Sequence, residues 1–410
     1  MSGWRYQTPV RSPLSVAALL HGVWAAATRN GNASRAGARV VALLRERYAA
    51  KAVMLTDSGT TALTAALLAV LKDRPGSAIA LPAYACYDLA TAADGANAPV
   101  VLYDLDPHTL APDLAQVEAA MRQGVAAIVV VHFYGCPVDL GEVNRLAAIH
   151  GTVVIEDAAQ ALGGTVRDRP AGTQSALAVL SFGRGKGLTG GSGGALLAHD
   201  AAGLRILDVA RGLLGEAQRG WPELLAVTAQ FLLERPNVYA LPAAVPFLHL
   251  GETIYRTPRP LRGPTSASCS VVAATWRLAE READVRRRNA ERLLIELRAQ
   301  PAFEIIASPR HVRPGYLRLA VLASPDVRRS VAEPATRRLG VMAGYPKVLC
   351  DLERFGSRCL NRGHSFPGSR LLTTHLFTLP THGRLHARDL GGLEQWIRGR
   401  GRGTVRRIAH

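Results

Sequence analysis

The stretch Thr152-Val-Val-Ile-Glu-Asp-Ala-Ala-Gln160 decides the architecture. A short run of β-branched residues after Gly151 ends on two carboxylates, which reads as a strand buried on both faces. Such strands belong to a mainly parallel sheet covered by helices on either side. The carboxylates then stand at the carboxyl end of the strand, the edge along which open α/β sheets bind their ligands. A carboxylate buried there is costly unless a positive group or hydrogen-bond donors meet it.

Runs of the same kind recur on both sides of this stretch, at Ala52–Leu55, Ala78–Ala80, Val100–Tyr103, Ala126–Val131, Ala176–Leu180 and Gly194–Leu197. Helix-like stretches separate them from about residue 37 to 200, and this alternation predicts an α/β domain on a mainly parallel sheet. Residues 201–265 break the pattern. Pro222–Leu233 reads as a helix, and the Pro-rich stretch Pro236–Pro264 as an irregular apolar excursion covering a subunit or domain face. From Ala273 a long arginine-rich helix leads to a smaller α/β portion with strands at Phe303–Ile306 and Leu317–Leu322 and a closing helix, Ala387–Ile397. The expected division is a large domain over 1–265, a small C-terminal domain over 266–397 and a basic, disordered tail over 398–410.

A chain of 410 residues with 48% apolar and 20% charged residues has the means to bury two cores. It contains no run of about 18 uncharged apolar residues. The N-terminal Met1-Ser-Gly-Trp-Arg-Tyr-Gln7 lacks the plan of a signal peptide, so a cytoplasmic protein is expected. Cys86, Cys136, Cys269, Cys350 and Cys359 are widely spaced and form no CxxC pair, which excludes a disulfide framework or zinc site and predicts reduced, mostly buried thiols. No metal is expected. A formal charge of +17 would suit nucleic acid, an anionic membrane or a phosphorylated substrate without choosing among them. Arginines interleaved with acids along Trp276–Asn289 fit a solvated helix face, and no nucleic-acid partner is expected. Contact of the tail, or of the apolar Phe247–Leu250, with anionic lipid is the minority expectation.

Only four lysines, Lys51, Lys72, Lys186 and Lys347, stand among 49 basic residues, leaving 49 − 4 = 45 arginines. An amine can lose its proton and attack a carbonyl to form a Schiff base, which a guanidinium cannot do. Lys186 sits in Ser181-Phe-Gly-Arg-Gly-Lys-Gly-Leu-Thr-Gly-Gly-Ser-Gly-Gly194, after the predicted strand Ala176–Leu180. Earlier, Thr56-Asp-Ser-Gly-Thr-Thr61 follows a strand and opens a helix. There the backbone N–H groups from Gly59 and the hydroxyls of Thr60 and Thr61 would form a phosphate cup, although the same residues also make a good helix cap. Ser181 could complete that cup. Asp157 would pair with an arginine, cap a helix, or face the protonated ring nitrogen of a pyridine cofactor and keep it cationic.

Taken in order, these segments resemble the sugar aminotransferase family named after DegT, DnrJ, EryC1 and StrS, in the aspartate aminotransferase class of pyridoxal 5′-phosphate enzymes. The resemblance runs over Asp57–Leu63, Leu81-Pro-Ala-Tyr84, Asp94–Ala96, Pro99–Asp104, His132-Phe-Tyr-Gly135 with Asp139, Glu156–Gln160, Ser181-Phe182 with Lys186, and Thr189–Gly194. It implies a three-layer α/β fold of that class, with a mainly parallel mixed sheet and a smaller C-terminal α/β domain. It also implies Lys186 as the residue that holds the cofactor covalently, Asp157 as partner of the ring nitrogen and Gln160 as neighbour of the ring hydroxyl. Gly59, Thr60, Thr61 and Ser181 become phosphate contacts. Relatives that dehydrate or deoxygenate sugars carry histidine in place of this lysine, so transamination is expected. The implied activity moves an amino group from glutamate or glutamine to a keto group of a nucleotide-linked sugar, in a homodimer, for polysaccharide or glycoside synthesis.

Three departures limit the resemblance, the last of them on the substrate side. The position where the family stacks an aromatic ring on the cofactor is Cys86, leaving Tyr84, Tyr87 or the sulfur itself to pack there. The partner-subunit Asn that closes the phosphate site ahead of the long helix falls in Pro264–Ser270, where Thr265 or Ser266 would substitute or the clamp would be missing. A later His is replaced by Cys350, after Gly340-Val-Met-Ala-Gly-Tyr345-Pro. These departures keep open a pyridoxal phosphate reaction on an amino acid or non-sugar ketone, and a non-catalytic cofactor-binding partner in a polysaccharide assembly.

Overall fold

The computed structural model describes residues 5–28, 32–216, 220–243 and 253–401. Five strands come first: β1 (Ala52–Thr56), β2 (Ile79–Pro82), β3 (Val100–Tyr103), β4 (Ala127–Val131) and β5 (Val153–Asp157). The short hairpin of β6 (Thr165–Val166) and β7 (Arg169–Pro170) precedes β8 (Leu177–Ser181) and β9 (Gly194–Ala198). The C-terminal portion adds β10 (Phe303–Ile305), β11 (Val312–Arg313), β12 (Leu319–Ala323), β13 (Met342–Ala343) and β14 (Leu376–Leu379).

Seven strands form one sheet in the order β1-β9-β8-β5-β4-β2-β3. The pairs β8–β5, β5–β4, β4–β2 and β2–β3 are parallel, whereas β9 runs antiparallel to β1 and β8. Side chains alternate between the faces of a strand, and this sheet buries both faces. Leu177, Val179, Leu196 and Ala198 face one apolar cluster with the helix Gly59–Asp73, while Ala178, Leu180, Ala195 and Leu197 face a second. Val40 and Leu44 of the helix Asn32–Tyr48, and Cys269 to Ala279 of the helix Ser266–Arg298, cover that second face. The result is the three-layer α/β arrangement.

A four-stranded antiparallel sheet, β10-β12-β14-β13, forms the smaller portion, and the strip β11-β6-β7 ties it to the large sheet. The helix Ser266–Arg298 starts seven residues earlier than the arginine pattern suggested, because Thr265 caps it by accepting from the Ser268 N–H. Its first half packs on the large sheet, and Leu293, Leu294 and Leu297 pack on the small one. The helix Ser266–Arg298, assigned by the expected division to the small domain, contributes to both cores. The closing helix extends over Ala387–Gly401, so residues 398–401, expected in a disordered tail, are helical: Ile397 and Gly401 are buried and Arg398 and Arg400 pair with Glu296 and Glu333. The rest of the tail and Phe247–Leu250 lie outside the described residues. The helix expected from Pro222 is present as Trp221–Leu233. Among the described residues, no helix is long and apolar enough to cross a membrane. All five cysteines are free thiols, and all but Cys86 are buried.

Candidate active site

The carboxyl ends of β1, β5 and β8 converge. Ser58 caps the helix Gly59–Asp73, its Oγ accepting from the Thr61 N–H at 3.0 Å and meeting Thr61 Oγ1 at 2.9 Å. Gly59 lies against Ser181 at the end of β8. A Cβ at Gly59 would stand 2.8 Å from Ser181 Cβ and 3.2 Å from its Oγ, so only glycine lets the helix start approach β8 this closely. The first N–H groups of a fifteen-residue helix thus open beside the Ser181 hydroxyl, an arrangement suited to a phosphate. Asp57 sits at the rim with Oδ1 unpartnered. Burial raises its pKa against the opposing hydrogen bonds of Thr61 and Ser58 and the charges of Arg262 and Arg259.

Glu156 and Asp157 point to opposite sides of the sheet and meet opposite environments. Glu156 has no exposure and accepts from His132 Nε2 at 2.7 Å, the Gly172 N–H, the Gln174 N–H at 2.9 Å and Gln174 Nε2 at 3.4 Å. The Val138 N–H donates to His132 Nδ1 at 3.0 Å, so the proton of the neutral ring sits on Nε2, aimed at the carboxylate. Burial alone would raise the Glu156 carboxyl, but these donors together hold it below its ordinary value. Among the described residues, Asp157 accepts only from the Ala159 N–H, at 3.0 Å. Its burial pushes the carboxyl up, and the charge of Lys186, the Ala159 N–H and His132 offset that only in part. Asp157 is therefore a buried carboxylate short of positive charge, with Lys186 its principal relief.

Lys186 is partly buried on the loop after β8, where it borders a small cavity with Ser181, Ala158, Ala159 and Trp276. Cys86 lies in the field of the same Lys186 and Asp157, and burial pushes its thiol up to about 12, keeping it neutral. Gln160 is held at both ends of its amide: the Tyr134 N–H donates to Oε1 at 3.2 Å, and Nε2 donates to Tyr345 Oη at 2.9 Å. Behind it the rings of Tyr84, Phe133, Tyr134 and Tyr345 form a buried cluster, and the Arg318 guanidinium lies 4.9 Å from the centre of the Tyr134 ring.

Residues 24–214 match the DegT/DnrJ/EryC1/StrS aminotransferase family. That stretch holds every one of the converging strand ends. The matched stretch, 191 of the 410 residues, is similar to this family. Among curated relatives, an L-glutamine:2-deoxy-scyllo-inosose aminotransferase of Micromonospora echinospora is 42% identical over 147 residues, 36% of this chain and 35% of that protein. A GDP-perosamine synthase of Caulobacter vibrioides is 36% identical over 160 residues, 38% of this chain and 43% of that protein. The chain thus spans about a third of the length of the first of these curated relatives. Among solved structures, the aminotransferase TlmJ from Streptoalloteichus hindustanus superposes with a TM-score of 0.75 at 23% identity, covering 96% of this chain and 98% of that one. DesV from S. venezuelae gives 0.74 at 19%, covering 95% and 94%. These likenesses establish the fold.

The DegT/DnrJ/EryC1/StrS enzymes depend on pyridoxal 5′-phosphate, and the residues present fit that group. The cup of Gly59, Thr60 and Ser181 suits its phosphate, and the under-compensated Asp157 suits a cationic ring nitrogen. Thr61 turns its hydroxyl onto Ser58, so its part in the cup is to hold the loop. Tyr84 is fully buried, its Oη 2.9 Å from Tyr134 Oη and accepting from the Tyr345 N–H, and it is consumed in the cluster behind the site. Tyr87 opens the helix Tyr87–Gly95, buried beside Cys86. Thr265 spends its hydroxyl as a helix cap. The residues missed by sequence reasoning are Tyr345 and Tyr134 as partners of Gln160. Both had been quoted within motifs, but only the fold brings positions 160 and 345 together.

Proposed function

We propose that the chain is a pyridoxal 5′-phosphate-dependent aminotransferase that carries an amino group from glutamate or glutamine to a keto group of a nucleotide-linked sugar. Polysaccharide or glycoside biosynthesis is the setting we infer, in a cytoplasmic homodimer. The observation that carries this is Lys186 beside the buried, under-compensated Asp157, with the Gly59–Ser181 cup at the adjoining strand ends.

The bound cofactor would supply an electron sink that stabilises negative charge on the substrate carbon. The protein's residues do the rest. Lys186 Nζ would hold the cofactor and, as a free amine, would shuttle a proton at the substrate carbon. The Asp157 carboxylate keeps a proton on the ring nitrogen, an ion pair strengthened by burial. The helix start at Gly59 and the Ser181 hydroxyl would hold the phosphate and so restrict the cofactor's position. The neutral Cys86 thiol adds no charge to the pocket.

A second acceptor class has specific support: five curated relatives are named as L-glutamine-dependent inosose aminotransferases, whose acceptor is not a nucleotide sugar by name. Borohydride reduction followed by peptide mapping tests the cofactor assignment. Glutamine or glutamate should then convert the unreduced protein to its amine form, and keto sugar nucleotides or inososes should return it. A reduced protein without label on Lys186, or a Lys186→Ala variant that still turns over, sinks the proposal.

A further inference from the structure

Tyr345 follows β13 of the small sheet, yet its ring is buried against the large one, with centroids 5.2 Å from Tyr84 and 5.8 Å from Tyr134. The hydrogen bonds around it close a ring. The Tyr345 N–H donates to Tyr84 Oη at 3.0 Å, and Tyr84 Oη meets Tyr134 Oη at 2.9 Å. The Tyr134 N–H donates to Gln160 Oε1, and Gln160 Nε2 returns to Tyr345 Oη. Tyr134 reaches this geometry with φ +55°, a left-handed conformation that costs a non-glycine residue energy and persists where the surroundings require it.

The donor pattern fixes which way the amide faces. A backbone N–H can only donate, so the Gln160 oxygen faces Tyr134 and the nitrogen faces Tyr345. One of the two N–H bonds of Nε2 is then used, and the remaining one can only donate. We propose that Tyr345 is a positioning residue that locks the Gln160 amide so that its second N–H is presented to the ring oxygen of the cofactor. The small sheet thereby takes part in setting the cofactor's proton balance. This rests on the cofactor assignment proposed above.

The charged and titratable groups facing Tyr345 are Tyr84, Tyr134, Cys86 and Arg318, with Arg328 beside Tyr84 and Tyr134. Burial holds the Tyr345 hydroxyl well above 10 and raises Tyr84, Tyr134 and Cys86. None of these three hydroxyls titrates between about pH 6 and 9, and the raised thiol stays neutral there.

The test compares Y345F, Q160L and the double variant in the full chain reconstituted with pyridoxal phosphate. The visible band of the Lys186-linked cofactor is titrated, and its dissociation constant is measured by fluorescence. Loss of one net hydrogen bond predicts an affinity two- to tenfold weaker, that is roughly twofold to tenfold in Kd. A donor to the ring oxygen competes with the proton shared between that oxygen and the lysine nitrogen. The Y345F midpoint should therefore move up, by roughly a few tenths to one pH unit. In the Q160L background Y345F should add neither change. A merely structural Tyr345 would lower thermal stability in both backgrounds and leave the midpoint in place. An unmoved Y345F midpoint, or an equal shift with and without Gln160, overturns the proposal. An unaltered protein with no visible band and no borohydride-fixed label on Lys186 overturns the cofactor assignment and takes this inference with it.

Discussion

Glu156→Gln and Asp157→Asn alter adjacent carboxylates in the same isosteric way, and the structure predicts opposite effects on the cofactor-free protein. Glu156 accepts four N–H bonds at zero exposure. An amide there turns one acceptor into a donor facing another donor and removes the charge that strengthens the rest. Hydrogen bonds to a buried charge are worth about 1.5–3 kcal/mol each, and the substitution weakens all four while turning one into a donor–donor clash. We take about 3–5 kcal/mol as the loss. Unfolding entropy of about 2.1 cal/mol/K per residue gives about 0.9 kcal/mol per degree for 410 residues, so Tm should fall by roughly 3–6 °C. Asp157 has one backbone donor, which asparagine keeps through Oδ1, and its ionised form is disfavoured by burial. Asp157→Asn should therefore leave the apoprotein equal or more stable at pH 8, while weakening cofactor binding.

The pH dependence separates the two further. The Glu156 pKa is lowered on folding, so its contribution is fully present above the ordinary carboxyl value and is lost as pH falls through the folded one. Glu156→Gln should therefore stay destabilising from pH 8 down to about 5, and converge with the parent only in stronger acid. The Asp157 pKa is raised, so stability is fully present below the ordinary carboxyl value and is lost as pH rises through the folded one. Any advantage of Asp157→Asn at pH 8 must shrink on acidification. Differential scanning calorimetry of the apoproteins at pH 8, 6 and 4.5 reads both trends. A Glu156→Gln protein within 1 °C of the parent at pH 8, or an Asp157→Asn apoprotein clearly less stable there, refutes the assignment of the two environments.

Gly59→Ala drives a methyl group into Ser181, and we expect a stability loss of about 1–3 kcal/mol in urea melts with cofactor affinity at least tenfold weaker. Gly391→Ala, in a helix and with nothing near its Cβ, should instead gain up to about 1 kcal/mol without touching affinity. Thr265→Ala should cost about 1 kcal/mol as a lost helix cap and leave the cofactor dissociation constant unchanged; weaker binding at equal stability would show that Thr265 closes the phosphate site.

All seven strands of the large sheet could be read from sequence because each is a short apolar run closed by polar or turn residues. β14 was not, since Leu376-Phe-Thr-Leu379 follows the helix Pro367–His375 with no break between them. β6, β7, β11 and β13 are two residues long and exist only through their partners, beyond the reach of periodicity. The start of the long helix was missed because Ser266-Ala-Ser-Cys-Ser270 has little helical signature apart from its cap. Within the candidate site the contiguous pieces, Ser58–Thr61, Asp157–Gln160 and Ser181–Lys186, stood out because each follows its own strand. Their mutual approach depends on parallel strands delivering their carboxyl ends to one edge. The contribution of Tyr345 had no such signal, because it depends on how the small sheet docks.

That docking follows from backbone contacts as much as from side chains. Gly135, at φ +88°, lies so close to the Tyr316 and Leu317 N–H groups that a Cβ would collide with both. The Gly315 N–H donates to the Gly135 carbonyl at 2.7 Å and the Arg318 N–H to the Tyr134 carbonyl at 3.1 Å. The loop that carries His132 toward Glu156 and the Tyr134 N–H toward Gln160 is thus clamped by the segment leading into β12. One short loop joins the well-satisfied carboxylate, the amide beside the strained one, and the small sheet. Asp157, left short of partners within this rigid frame, is stabilised most by a cation entering from outside. Binding of such a ligand to the folded state alone would raise stability with ligand concentration, so the energetic deficit of Asp157 becomes affinity for a cationic ligand.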